Sequence, residues 1–400
     1  MGILSDRLAG VRPSPTVAMA TRAQELRRAG RDVIALAAGE PDFDTPENIR
    51  DAAKRAIDTG HTRYTAPDGM PELKSAIAEK FRRENGLVFS ADEICVGAGG
   101  KHVLWNALLA TLNPGDEVVI PAPYWVSYPD MTRLAGGTPV IVQTTAAAGY
   151  RLSPEALEAA ITPRTKWLIV NSPGNPTGAG YDAAALAGLA AVLERHPQVW
   201  VMSDDIYEHV AYPPFRFATI AQVAPALAER TLTVNGVSKA YAMTGWRIGY
   251  AGGPETLIAA MRKVQSQSTT NPATISQWAA VEALEGPQDY IETARAAFRR
   301  RRDRVAAALD ACPGLACPLP EGAFYLFASV EDTLGRRTRA GRRMSTDEDF
   351  AAALLDETGV AVVPGSAFGG GPAFRLSYAA ADAALDEACA RIAGFCNTLR

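Results

Sequence analysis

The stretch Val234-Asn235-Gly236-Val237-Ser238-Lys239-Ala240-Tyr241-Ala242-Met243-Thr244-Gly245-Trp246-Arg247-Ile248-Gly249-Tyr250 decides how this chain is read. Lys239 lies just past the β-branched run 231–234, and Arg247 follows after a short glycine-bearing turn. The Trp-Arg-Ile-Gly-Tyr segment at 246–250 reads as a second buried strand. A lysine set among strands and small residues loses hydration. Its ammonium form is then disfavoured and the neutral amine becomes a nucleophile. That is the chemistry of a Schiff base with an aldehyde cofactor.

Outward from this block, the whole chain has the size and balance of a soluble globular protein. Its 400 residues are enough for two domains and a large core. A hydrophobic content of 48% with 21% charged residues fits a globular protein. A net charge of -4 makes no electrostatic case for nucleic acid or a membrane surface. No signal peptide is visible in residues 1–10, and no run approaches the roughly 20 apolar residues of a spanning helix. The five cysteines are scattered, odd in number and without zinc spacing, which predicts reduced thiols in a cytoplasmic protein.

Taken in order, Thr16 reads as the N-cap of a helix over 17–29 that stops at Gly30. A strand over 33–37 runs into Gly39, which is either a plain turn or a point where backbone meets ligand. Tyr64 stands in a polar loop, as interface aromatics often do. A strand over 93–96, then Gly97-Ala98-Gly99-Gly100-Lys101 and a helix over 102–112, has the geometry of an anion site, although such loops also simply join elements. Trp125, past a strand over 118–120, is either core or a stacking face for a flat ligand. Asn175, after a strand over 166–170, is a turn residue or an amide donor. A strand over 199–202 leads to Asp204-Asp205-Ile206-Tyr207, either a helix-capping turn or a fixed carboxylate beside a phenol. Residues 299–304 read as a solvated charged face, and 335–343, with five arginines, as a mobile surface insertion. Arg375 alternates with apolar neighbours in a strand over 373–378, and a guanidinium matches a carboxylate bidentately. Strands alternating with helices over about 93–250 imply a mostly parallel sheet covered on both faces, with ligands at strand-to-loop junctions.

The order and spacing of Gly39, Tyr64, Gly99-Gly100-Lys101, Trp125, Asn175-Pro176-Thr177-Gly178, Asp204, Tyr207, Lys239, Arg247 and Arg375 resemble the class I (fold-type I) aminotransferases over nearly the whole chain. That resemblance implies an α/β fold: a large domain (47–290) with a mostly parallel seven-stranded sheet, a smaller α+β domain (291–400), and an N-terminal arm that with part of the small domain takes up 1–46. It implies pyridoxal 5'-phosphate on Lys239 and a ping-pong exchange of amino groups. It places the cofactor phosphate on Gly99, Gly100, Lys101, Ser238 and Arg247, with Tyr64 reaching it across a homodimer interface. The cofactor ring would lie on Trp125, with Asn175 and Tyr207 at its oxygen and Asp204 at its nitrogen. The substrate would meet Arg375, Gly39, Asn175 and Trp125. The chain looks most like the bacterial aspartate and aspartate/prephenate subgroup. There Lys101 and the Ser14/Thr16 segment read a distal carboxylate, and a basic residue at Arg12 goes with prephenate use. Lys101 read by itself is also consistent with a plain surface charge. Departures are Gly236, where a hydroxyl residue is common, Gly174 and Pro15. The rival readings are an aminotransferase for aromatic or neutral amino acids, a carbon-sulfur lyase of the same fold, and a non-catalytic regulator, for which no fused DNA-binding segment is present.

Overall fold

The computed structural model describes residues 3–11, 13 and 15–400; Arg12 and Ser14, expected at the substrate segment, lie outside the described residues. In chain order the strands are β1 (Ile34–Ala35), β2 (Ile94–Gly97), β3 (Glu117–Ala122), β4 (Thr138–Gln143), β5 (Thr165–Asn171) and β6 (Trp200–Asp204). They continue with β7 (Thr231–Gly236), β8 (Gly249–Gly252), β9 (Tyr325–Ser329), β10 (Val360–Ala361), β11 (Val363–Pro364) and β12 (Ala373–Ser377). A seven-stranded sheet has the order β2-β8-β7-β6-β5-β3-β4. Only β8 runs against its neighbours β2 and β7.

The side-chain period of two sends alternate residues to opposite faces. Val118, Ile120, Trp167 and Ile169 pack on one face against the helices Gly100–Thr111, Ser127–Leu134 and Glu255–Ser266. Val119, Leu168 and Val170 pack on the other, against Ala183–Leu193 and Pro154–Ala160. Both faces are dry, so these strands read as continuous apolar runs. The ends of β3, β5, β6 and β7 open together into the loops that carry Trp125, Asn175, Asp204 and Lys239, the usual ligand side of such a sheet.

A second, antiparallel sheet joins β11, β12 and β9, and places Arg375 opposite Phe327. The helices Asp289–Asp310, Asp347–Thr358 and Asp382–Cys396 close a core around Phe298, Phe324, Phe350 and Phe374. The N-terminal segment belongs to this unit, because β1 pairs in parallel with β10 through Ile34↔Val360.

Several local expectations are corrected. The helix expected from residue 17 begins at Pro15, so Thr16 sits inside its first turn and is not the cap. The helix after the glycines begins at Gly100, so Lys101 lies in its first turn. The segment 246–250 is not one strand: Thr244–Trp246 is a 3₁₀ turn, Arg247 has φ +58°, and the strand starts at Gly249. The charged face 299–304 is not simply solvated. Arg301 is buried against Asp42 and Asp382, and Arg302 is buried over the Tyr212 ring, bonded to the Pro320 carbonyl. These guanidiniums found acids and carbonyls on distant segments, which a helical wheel does not display. The arginine-rich segment is a hairpin, not a loose insertion: Arg337 pairs with Arg343 and exchanges two backbone hydrogen bonds with Arg400. The cysteines, scattered in sequence, mostly converge: Cys312, Cys317, Cys389 and Cys396 share the small unit's core, as free thiols.

Beneath the sheet lies a buried ion pair. Lys80 is fully buried against Glu208, bonds Asn85 Oδ1 at 2.8 Å, and Asn85 in turn donates to Glu208 at 2.9 Å. Removing one partner of such a pair strands the other charge, at a cost of roughly 3–5 kcal/mol. Lys80→Met is therefore expected to lower the thermal midpoint by several degrees, and Lys80→Met with Glu208→Gln to recover part of the loss. Calorimetry on the three proteins checks this.

Candidate active site

Lys239 hangs from the loop after β7, partly buried, and its Nζ donates to the Gly39 carbonyl at 2.6 Å. Burial lowers its pKa to about 8, with Arg375 and Arg247 adding to the shift and Glu40 and Asp204 opposing it. More neutral amine is thus present near neutral pH than in a free lysine, the direction the sequence argument required. It faces a cavity of about 340 Å³. That cavity is also lined by Thr16, Gly39, Gly100, Lys101, Trp125, Asn175, Asp204, Tyr207, Ser238, Arg247 and Arg375.

Asp204 ends β6 and points into this space, whereas Asp205 points away and accepts from Ser203 Oγ at 2.7 Å. Strand alternation separates the two adjacent acids. Burial raises the Asp204 pKa to about 6, against the hydrogen bond from Tyr128 Oη at 2.5 Å, the Ile206 amide and the charge of Lys239. Tyr207 is buried, its hydroxyl 2.8 Å from that of Tyr325. Arg375 is buried and held by Asn175 Oδ1 at 2.9 Å and the Ala37 carbonyl at 2.7 Å; its Nε has no partner. Lys101 is an exposed residue whose Nζ turns over the Trp125 ring, 4.7 Å from the centroid. Burial there, with Arg247 second, lowers its pKa.

The anion end of the site is built from absent side chains. Gly97, Gly249 and Gly236 stand side by side across β2, β8 and β7. The Gly99–Gly100 turn lies directly on Gly249, so that any Cβ at Gly249 would collide with the Gly100 amide. Gly99 has φ +89° and caps the helix Gly100–Thr111; a Cβ on it would strike the Arg247 guanidinium. The result is a helix N-terminus with exposed amides and an arginine beside it, the arrangement that binds phosphate. The Gly236 departure has a cause in the same stack. A side chain there would sit 3.0 Å from the Gly249 Cα and the Ile248 carbonyl.

Two expected residues fall elsewhere. Gly99 backs Arg247 and is not part of the cavity wall, and Tyr64 is 90% exposed, outside the cavity of this one chain. Sequence reading missed Tyr128, Tyr325 and Glu40. Tyr128 was within reach: it lies one helical turn after Trp125. Tyr325 sits in a strand with no polar pattern around it, and nothing in the sequence marks it.

A family model for aminotransferase class I and II matches residues 31–392. The chain belongs to that family. An aspartate/prephenate aminotransferase from Cereibacter sphaeroides is 63% identical over 399 residues, covering all of both chains. An aspartate aminotransferase from Rhizobium meliloti is 55% identical over 395 residues, 99% of this chain and 96% of that one. Among solved structures, a Rhizobium meliloti aspartate aminotransferase superposes with a TM-score of 0.98 at 55% identity over the full length of both chains. One from Thermus thermophilus, solved with maleate, superposes with a TM-score of 0.91 at 49% identity over 99% of this chain and 100% of that one. The family and fold class implied by the lysine block therefore hold, and this chain is an aminotransferase.

Gly249→Ala tests the glycine stack. The added methyl pushes the Gly99–Gly100 turn off the sheet. Overpacking of this kind costs about 1–3 kcal/mol. We expect affinity for pyridoxal phosphate, titrated into the stripped protein, to fall roughly tenfold or more while the folded circular-dichroism spectrum is kept.

Proposed function

We propose that the chain is an aspartate aminotransferase that uses pyridoxal phosphate to exchange an amino group between aspartate and 2-oxoglutarate, and that also accepts prephenate. One observation carries this reading. Besides Lys239, the cavity presents three cationic groups, Arg247, Arg375 and Lys101, none paired with a carboxylate among the described residues. A cofactor phosphate and the two carboxylates of a dicarboxylic amino acid are three anions. The names of the relatives and the maleate in the Thermus thermophilus enzyme, itself a dicarboxylate, support the same assignment.

The residues fit the cofactor: the glycine stack leaves room for a phosphate, the Arg375 Nε awaits an acceptor, and the Lys239 amine is held only by a carbonyl. When bound, pyridoxal phosphate supplies an electron sink for charge developing on the substrate's α-carbon. The amides of Gly100 and Lys101, with Ser238 and Arg247, would hold its phosphate, the Gly99 amide being given to the Gly97 carbonyl, and Tyr64 from a second copy would complete that pocket in a homodimer. Trp125 offers its ring face to the pyridine. Asn175 and Tyr207 donate to the ring oxygen. Asp204 keeps the ring nitrogen protonated, and a cation there returns its own pKa downwards. Lys239 would carry the cofactor and would move the proton at the substrate's α-carbon; a pKa of about 8 suits both taking and returning that proton. Arg375 takes the α-carboxylate beside the Gly39 backbone, and Lys101 with Thr16 reads the distal one, with Arg12 favouring prephenate. We assign 1–46 to an arm and part of the small domain, 47–290 to the large domain and 291–400 to the small one, in a cytoplasmic dimer. The free thiols support that compartment.

A panel of amino donors and keto acceptors, prephenate included, tests the specificity. Lys101→Ala should lower kcat/KM for aspartate on the order of a hundredfold, the worth of one charged hydrogen bond at about 1.5–3 kcal/mol, and leave a neutral amino acid nearly unchanged. Equal losses would remove Lys101 from carboxylate recognition. The shared site has its own test. Mixing inactive Tyr64→Phe and Lys239→Ala proteins should restore activity through hybrid dimers carrying one intact site, and an unrestored mixture would mean that Tyr64 acts within its own subunit or not at all.

A further inference from the structure

Tyr325 is in contact with three parts of the site at once. It is 1% exposed at the start of β9. Its hydroxyl lies 2.8 Å from that of Tyr207. Its ring lies under the Arg375 guanidinium, 4.5 Å from centroid to carbon, with Phe368 also against that guanidinium at 4.9 Å. Its Oη reaches so close to Gly39 that a Cβ there would stand 2.9 Å away, and Gly39 is the residue whose carbonyl holds Lys239.

Resting on the reading above, we infer that Tyr325 is a positioning residue that ties the carboxylate arginine to the ring-oxygen tyrosine. A pair of phenols shares one hydrogen bond, and each phenol has one proton. If Tyr207 donates to Tyr325, its oxygen can only accept from the cavity. If Tyr325 donates, the Tyr207 proton is free for an anionic ring oxygen. The bound cofactor requires the second arrangement, and Tyr325 has no other side-chain acceptor for its proton among the described residues. The ring of the same residue carries Arg375 through a cation–π contact. A substrate carboxylate pairs with Arg375 and fixes the guanidinium over the Tyr325 ring, which keeps the phenol aligned to donate to Tyr207. Carboxylate binding and the hydrogen bond at the ring oxygen are thereby linked through one side chain.

The test is a spectrophotometric pH titration of the cofactor band in the holoenzyme, together with succinate binding. The charges facing Lys239 are Glu40, Arg375, Arg247 and Asp204, and none of them is altered. A donor at the ring oxygen stabilises the deprotonated lysine–cofactor link, so losing or misaligning it raises the pKa of that link. Tyr325→Phe should raise it by about half a unit to one unit, the worth of one hydrogen bond, and leave succinate affinity within about twofold because the aromatic platform remains. Tyr325→Leu should raise the pKa and also weaken succinate binding several-fold. On a Tyr207→Phe background, Tyr325→Phe should add nothing further. A Tyr325→Phe titration identical to that of the unaltered protein, or a full additional shift on the Tyr207→Phe background, overturns the inference. The assignment of Tyr207 fails separately, if Tyr207→Phe alone leaves the titration unmoved.

Discussion

Everything at this site rests on one steric constraint, the meeting of backbone with backbone at Gly249. Three neighbouring strands bring glycines to the same level, Gly97, Gly249 and Gly236, and the Gly99–Gly100 turn lies on them without a side chain between. Closing that gap seats the N-terminus of the helix Gly100–Thr111 on the end of the sheet. It also brings Arg247, on its left-handed turn, against Gly99. A methyl group at Gly249 would push the turn off the sheet, and one at Gly99 would push the guanidinium away. Glycine is used here for the space it leaves, and at Gly99 also for its positive φ.

The second consequence of that seating is electrostatic. The loop leaving β7 delivers Lys239 into a space whose walls are largely apolar or cationic. Burial then outweighs the nearby acids and holds the amine's pKa near 8. The same burial pushes Asp204 up to about 6, with Tyr128 resisting. Burial thus moves a lysine down and a carboxyl up, and a cation bound beside Asp204 would return that carboxyl downwards. The small domain contributes from the other side through β9 and β12, which present Tyr325 and Arg375. The cavity is closed by both units, and neither builds it alone.

Much of this was legible in the chain. The run 231–234 followed by Lys239, the glycines at 97–100, the Asn-Pro-Thr-Gly element and the Asp-x-x-Tyr spacing are local signals, because each places chemistry at a strand end within a few residues. Strand periodicity put Asp204 and Asp205 on opposite faces, and the family spacing to Tyr207 chose Asp204. The residues that stayed hidden are those whose partners are distant in sequence. Tyr325 meets Tyr207 across 118 positions, and Arg301 meets Asp42 across 259. The turn at Arg247 was read as strand because its apolar neighbours fit alternation, whereas its φ of +58° follows from packing against Gly99.

The sequence by itself determined the alternating α/β architecture, a lysine just past a strand and a glycine turn opening a helix, since periodicity, β-branching and glycine act over short spans of chain. Only the tertiary structure decided which cations stay unpaired in the cavity, how far burial shifts Lys239 and Asp204, and that the Tyr325 phenol touches both Tyr207 and Arg375. Those properties depend on desolvation and on contacts between segments hundreds of residues apart, and neither is a function of local sequence.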